Sequence, residues 1–92
     1  MPLLAVFAPE SLTIDQYDEV VRQLEKAGHG KPQGRLVHIC HGTGNQVQVT
    51  EVWDSVEHFQ QFGQVLMPIA QQVGVIPGEP QISPIHNRID GA

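Results

Sequence analysis

Residues 47–73 read VQVTEVWDSVEHFQQFGQVLMPIAQQV, and this run decides the fold. It begins as an alternating strand, stops at Asp54-Ser55 and resumes as an amphipathic helix with almost no loop between. Phe59, Phe62, Leu66, Ile69 and Val73 recur at 3-4-3-4 spacing, so they share one helix face. Asp54 or Ser55 supplies the cap, and Glu57 stands three residues after Asp54 in the position of a capping box. Pro68 lacks a backbone donor, which predicts a kink or two short helices near Met67. On the strand, Glu51 and Trp53 point to the same side.

The rest of the chain falls into place around this junction. Leu3 to Ala8 is a short apolar run closed by Pro9, which reads as a strand buried on both faces. Thr13 and Gln16 form a capping box. Ile14, Tyr17, Val21 and Leu24 recur at helical spacing, with Val20 and Ala27 widening the stripe, and Gly28 supplies a left-handed stop. A glycine-rich loop, residues 28–34, leads into a strand from Arg35 to His41. The His41-Gly-Thr-Gly-Asn45 turn returns the chain into a strand from about Gln46 to Trp53. After the second helix and another loop, Gln81 to Ile89 reads as the last strand. The order β-α-β-β-α-β predicts an α+β, ferredoxin-like domain spanning residues 1–92. It has a four-stranded antiparallel sheet with both helices on one face.

Two helices cover one face of such a sheet. The first strand is apolar on both faces, and in the second Leu36, His38 and Cys40 are expected on one face with Val37 and Ile39 on the other. An apolar face left open is expected to close against a second copy, sheet to sheet, making a homodimer. Ten acidic residues against five Lys and Arg give a formal charge of −5, with the cations scattered along the chain. That argues against a nucleic-acid partner, which needs concentrated positive charge. No apolar run approaches a membrane span. The start, MPLLAVFAPE, lacks a basic n-region, and the single Cys40 fits a reducing compartment, so a cytoplasmic protein is expected.

The junction Val52-Trp53-Asp54-Ser55-Val56-Glu57-His58-Phe59-Gln60-Gln61-Phe62, with the closing Pro84-Ile85-His86-Asn87, resembles that of dimeric α/β-barrel proteins. These include cofactor-free antibiotic-biosynthesis monooxygenases, heme-degrading monooxygenases, polyketide cyclases, muconolactone isomerases and stress-responsive A/B barrel proteins. The resemblance implies a small-molecule pocket between helices and sheet, and one fold of this kind hosts many chemistries. Heme-degrading relatives use an Asn on the first strand, a Trp and a helix His. Here the first strand has no Asn, so the heme pattern is not met.

The candidate catalytic residues are His38, Glu51 and His86. Glu51 among apolar neighbours would suit acid–base work; alternatively it faces solvent or pairs with Arg35. His38 lies mid-strand between apolar residues, and Glu51 on the adjacent strand is its natural partner if the register brings them together; otherwise it is a structural histidine bonded to backbone. His86 is placed on the edge of the last strand, at the pocket rim. The candidate substrate-binding residues are Tyr17, Trp53, Phe62 and Leu66, each of which could equally serve only as core. His58, in the first turn of the second helix, is expected to be exposed. No HxH, HExxH or CxxC pattern occurs, and His38 and His41 fall on opposite faces, so no metal is expected. The expected function is a cofactor-free enzyme, monooxygenase- or cyclase-like, acting on a small apolar or aromatic molecule. The alternative is a non-catalytic small-molecule-binding or stress-associated dimer.

Overall fold

The computed structural model describes residues 2–91. The elements run β1 (Leu3–Phe7), α1 (Ile14–Lys26), β2 (Arg35–His41), β3 (Gln48–Trp53), α2 (Val56–Val73) and β4 (Gln81–Pro84). The four strands form one antiparallel sheet in the order β2-β3-β1-β4, the split βαβ arrangement that the element order implies.

Local chemistry sets each helix end. Thr13 accepts from the Gln16 backbone, and the Gln16 side chain accepts in return from the Thr13 N–H. Gly28, at φ +85°, makes the left-handed turn that stops α1. The α1 stripe is centred on Val20 and Leu24, both buried, while Ile14 at its start stays 49% exposed. Ser55 caps α2, accepting from the His58 backbone N–H. The residue three positions after this cap is His58, so the expected box between Asp54 and Glu57 does not form; Asp54 Oδ1 bonds the His58 ring instead. Nor does Pro68 divide α2, which is one continuous helix. Phe62 and Ala70 are buried on either side of Pro68, and this packing outweighs the missing donor.

The core lies between the helices and the sheet. Trp53 is fully buried there, 5.7 Å from the Phe59 ring and 5.5 Å from Phe62. Leu3, Ala5, Val20, Leu24 and Ala70 complete its centre. The opposite sheet face carries Leu4, Val6, Val37, Ile39 and Val52, as the register requires.

Two strand expectations are corrected. Between Arg35 and Val37 the β2–β3 register slips by one residue, a bulge at Leu36. Leu36 therefore leaves the face of His38 and Cys40 and is 54% exposed. The final strand ends at Pro84 rather than Ile89. Its last regular partner is Leu3, near the start of β1, and only the Ile85 N–H to Pro2 carbonyl bond of 3.2 Å extends the pairing.

Candidate functional site

The sheet places Glu51 at the centre of β3, with Ala5 opposite on one side and His38 on the other. Its side chain points toward the helices and is 3% exposed. A carboxylate so deeply placed needs partners, and it has three. Oε1 accepts from the Trp53 indole N–H at 3.0 Å, and Oε2 lies 2.6 Å from His38 Nδ1. Arg35 Nη1 is 3.6 Å from Oε2. No buried side-chain nitrogen or oxygen lacks a partner among the described residues.

The bulge at Leu36 makes this grouping possible. In a regular strand Arg35 and His38 would point to opposite faces. The extra residue puts both on the side of Glu51, opposite Trp53 and Glu51 respectively. Arg35 also donates to the Gly30 carbonyl at 3.0 Å and sits 5.7 Å from the centre of the Phe62 ring. It ties the glycine-rich loop, the aromatic wall and the buried carboxylate together.

His38 extends the chain of bonds to α1, where its Nε2 lies 2.6 Å from Tyr17 Oη. The direction of donation follows from the partners. A carboxylate only accepts, so Nδ1 carries the imidazole proton toward Glu51. In the neutral imidazole Nε2 is then the bare nitrogen and the Tyr17 hydroxyl donates to it; in the imidazolium the direction of that bond reverses. The two rings lie nearly parallel, 5.9 Å apart. Burial, as the largest cause, pushes the Tyr17 phenol above its ordinary value, with the nearby Cys40 adding to the rise and Arg35 opposing it. Cys40, on the same sheet face opposite Val49, has its thiol raised by burial, then by Asp18.

These polar groups line one wall of a cleft of about 150 Å³, partly open to solvent. Tyr17, Val20, Val21 and Leu24 come from α1, and Phe62, Leu66 and Ala70 from α2. The sheet contributes Phe7, Arg35, His38, Val49 and Glu51, while Pro9, Leu12, Gly30, Val75 and Pro77 belong to the loops around it. The volume is about that of a cavity that holds one benzene ring.

His38, Glu51, Tyr17, Phe62 and Leu66 therefore meet at one cleft. Trp53 does not line it; it stands behind Glu51 and holds the carboxylate from the core side. His86 is exposed, lies past the end of β4 and is not part of the wall. Its expected place depended on a strand reaching Ile89. His58 is half-buried rather than free, with Nδ1 2.8 Å from Asp54 Oδ1. Arg35 is the site residue the alternation argument missed as a cleft group, because only an inserted residue turns it inward. No group of three or more His, Cys, Asp or Glu side chains is arranged to hold a metal among the described residues. No helix among them is long and apolar enough to cross a membrane.

Neither a protein-family profile nor a curated protein matches the chain. Among solved structures, one from Chloroflexus aurantiacus J-10-fl superposes over 99% of this chain and 100% of its own, with a TM-score of 0.58 and 19% sequence identity. That protein's assignment, as an antibiotic biosynthesis monooxygenase, is itself provisional. At this level of identity the likeness shows a shared fold.

Proposed function

We propose that this chain is a cofactor-independent enzyme that takes a proton from a small, largely apolar molecule held in the cleft. The observation that carries this reading is the bonded chain from Tyr17 through His38 to Glu51, ending on an apolar cavity wall. An acidic O–H or C–H of the ligand gives its proton to Tyr17 Oη as the hydroxyl proton of Tyr17 passes to His38 Nε2. Before transfer, Arg35, Glu51 and neutral His38 sum to zero charge. Afterwards they carry one positive charge, facing the anion just formed. Glu51 fixes the tautomer and holds the imidazolium, the part a carboxylate plays beside a general-base histidine. A dry cleft strengthens each of these interactions.

Oxygenation of an acidic phenol and aldol-type cyclisation of a polyketide-like chain both begin with such a deprotonation. A monooxygenase- or cyclase-like activity is therefore the finer reading, supported by the shared fold with the Chloroflexus protein. The cleft suits an aromatic or similarly compact ring, with larger substituents reaching out through the mouth. The acting unit is proposed to be a homodimer, because Leu4, Val6, Val37, Ile39 and Val52 give the uncovered sheet face an apolar centre.

One observation favours a second reading. Both ring nitrogens of His38 are already satisfied within the chain, as a passive binding pocket would also have them. Native mass spectrometry of protein taken from its own host separates the two. The enzyme reading expects a retained small molecule, or its precursor, that wild type converts and that His38→Gln and Glu51→Gln bind but leave unchanged. Conversion by both variants at the wild-type rate rejects the acid–base role.

A further inference from the structure

The same bonded chain meets the requirements of a second chemistry, in which a phenol loses an electron and a proton together. We propose that Tyr17 is a proton-coupled one-electron donor: a one-electron oxidant in or beside the cleft takes an electron from the phenol while its proton moves to His38 Nε2. The products are a neutral phenoxyl radical on Tyr17, an imidazolium on His38 and the oxidant reduced by one electron. Electrons and protons balance, and an external one-electron reductant of the thiol or ascorbate class returns the tyrosine to its starting state.

Three features carry the inference. A phenol stripped of its electron is a very strong acid, so its oxidation is easiest where a base already holds the proton. Tyr17 Oη and His38 Nε2 are 2.6 Å apart, at the short end for such a bond. The imidazolium is received by Glu51 Oε2 at 2.6 Å, with no new group needing to move. Second, the alternative route through a phenolate is disfavoured, because burial opposes the charged form of Tyr17. A neutral radical has no charge to desolvate, so the same apolar surroundings that oppose ionisation leave coupled oxidation open. Third, Tyr17 forms part of the cleft wall, so a ring in the cleft lies against it. An aromatic occupant that has itself lost an electron, such as a phenoxyl radical, is the class of oxidant the cleft would admit. The proposal needs the hydrogen-bond geometry but not the proton-abstraction activity, and each can fail alone.

The test uses the free protein with hexachloroiridate(IV), an outer-sphere one-electron oxidant, in stopped flow with rapid freeze-quench electron paramagnetic resonance. Tyr17 is the only tyrosine and Trp53 the only tryptophan, so phenoxyl, indolyl and thiyl signals each point to one residue or to Cys40. A tyrosyl signal is expected in wild type, formed with a solvent deuterium isotope effect. His38→Gln keeps an acceptor near the hydroxyl but is no base, and in it the signal forms at least about tenfold more slowly. A merely structural role for His38 would leave that rate unchanged. An indolyl or thiyl signal alone in wild type, the absence of an isotope effect, or a wild-type rate in His38→Gln overturns the proposal. The wild-type signal and isotope effect decide the matter even if the variant does not fold.

Discussion

Glu51 stands directly opposite His38 across the β2–β3 pair, and its Oε2 lies 2.6 Å from His38 Nδ1. The bonded chain on the cleft's polar wall is built around this pair. With the imidazole neutral, it sets which nitrogen is bare and so makes the Tyr17 hydroxyl a donor.

Glu51→Gln should disable the wall and weaken the fold together. A carboxamide presents one oxygen to two donors, His38 and Trp53, and turns its own NH2 toward whichever it does not serve. Either one buried donor is left unsatisfied, costing about 1–3 kcal/mol, or the imidazole shifts its proton to Nε2 to accept from that NH2. In both cases Arg35 loses its counter-charge. Urea unfolding followed by Trp53 fluorescence checks this, since Trp53 is the only indole and is bonded to the mutated group. An unchanged midpoint would mean the carboxylate is not held as described.

Tyr17 should ionise later than a free tyrosine. Burial is the main cause, so its folded value lies above the unfolded one of about 10. The linked stability is fully present below that unfolded value and is lost as pH rises through the higher folded value. As the only tyrosine, Tyr17 alone gives the phenolate absorbance in an alkaline titration. A transition at or below the free-tyrosine position contradicts the buried, hydrogen-bonded placement.

At the start of α2 the sign is reversed. The Asp54 carboxyl is held below its ordinary value, first by the hydrogen bond from His58. Its contribution is present above the unfolded value of about 4 and is lost as pH falls through the lower folded one. Asp54→Asn should lower the melting temperature slightly at neutral pH, and the gap to wild type should close in strong acid. Asp54 is exposed and His58 only half-buried, so solvent screening keeps the effect small. A gap that stays constant into strong acid would assign the loss to something other than the carboxylate.

Gly34→Ala and Gly44→Ala form a matched comparison. Both glycines have positive φ, +89° and +67°, so both substitutions carry the left-handed backbone cost of about 1–2 kcal/mol. At Gly44 the new methyl meets nothing, while at Gly34 it falls 2.4 Å from His58 Nδ1 and 2.6 Å from Asp54 Oδ1. Gly34→Ala should therefore be clearly the more destabilising in paired denaturation curves, and should disturb the Asp54–His58 bond.

Much of this arrangement was legible in residues 47–73. The short strand-to-helix step and the 3-4 spacing of Phe59, Phe62 and Leu66 specify how α2 lies on β3, and alternation alone puts Glu51 and Trp53 on one side. The pairing of His38 with Glu51 was a possibility that awaited the register, because nothing local says which residue on β2 faces which on β3. Arg35 was less visible still. Its inward position depends on a bulge, and Arg-Leu-Val-His alone does not say where an extra residue would fall. His86 went the other way: Gln81 to Ile89 looks like a full strand, but β4 leaves the sheet after Pro84 and carries the histidine out of reach. Helical spacing and element order carried over directly, whereas bulges, strand ends and the exact register needed the paired strands.

The most direct measurement is the ionisation of a bound reporter acid. 4-Nitrophenol is of a size the cleft accepts, and its phenol and phenolate absorb at different wavelengths. At a pH just below its free pKa, bound to wild type, it should appear as the phenolate, its proton having passed through Tyr17 to His38. In His38→Gln it should bind and remain a phenol. If the bound reporter stays protonated in wild type, or ionises equally in the variant, the cleft has no working base and the proton-abstraction account is wrong.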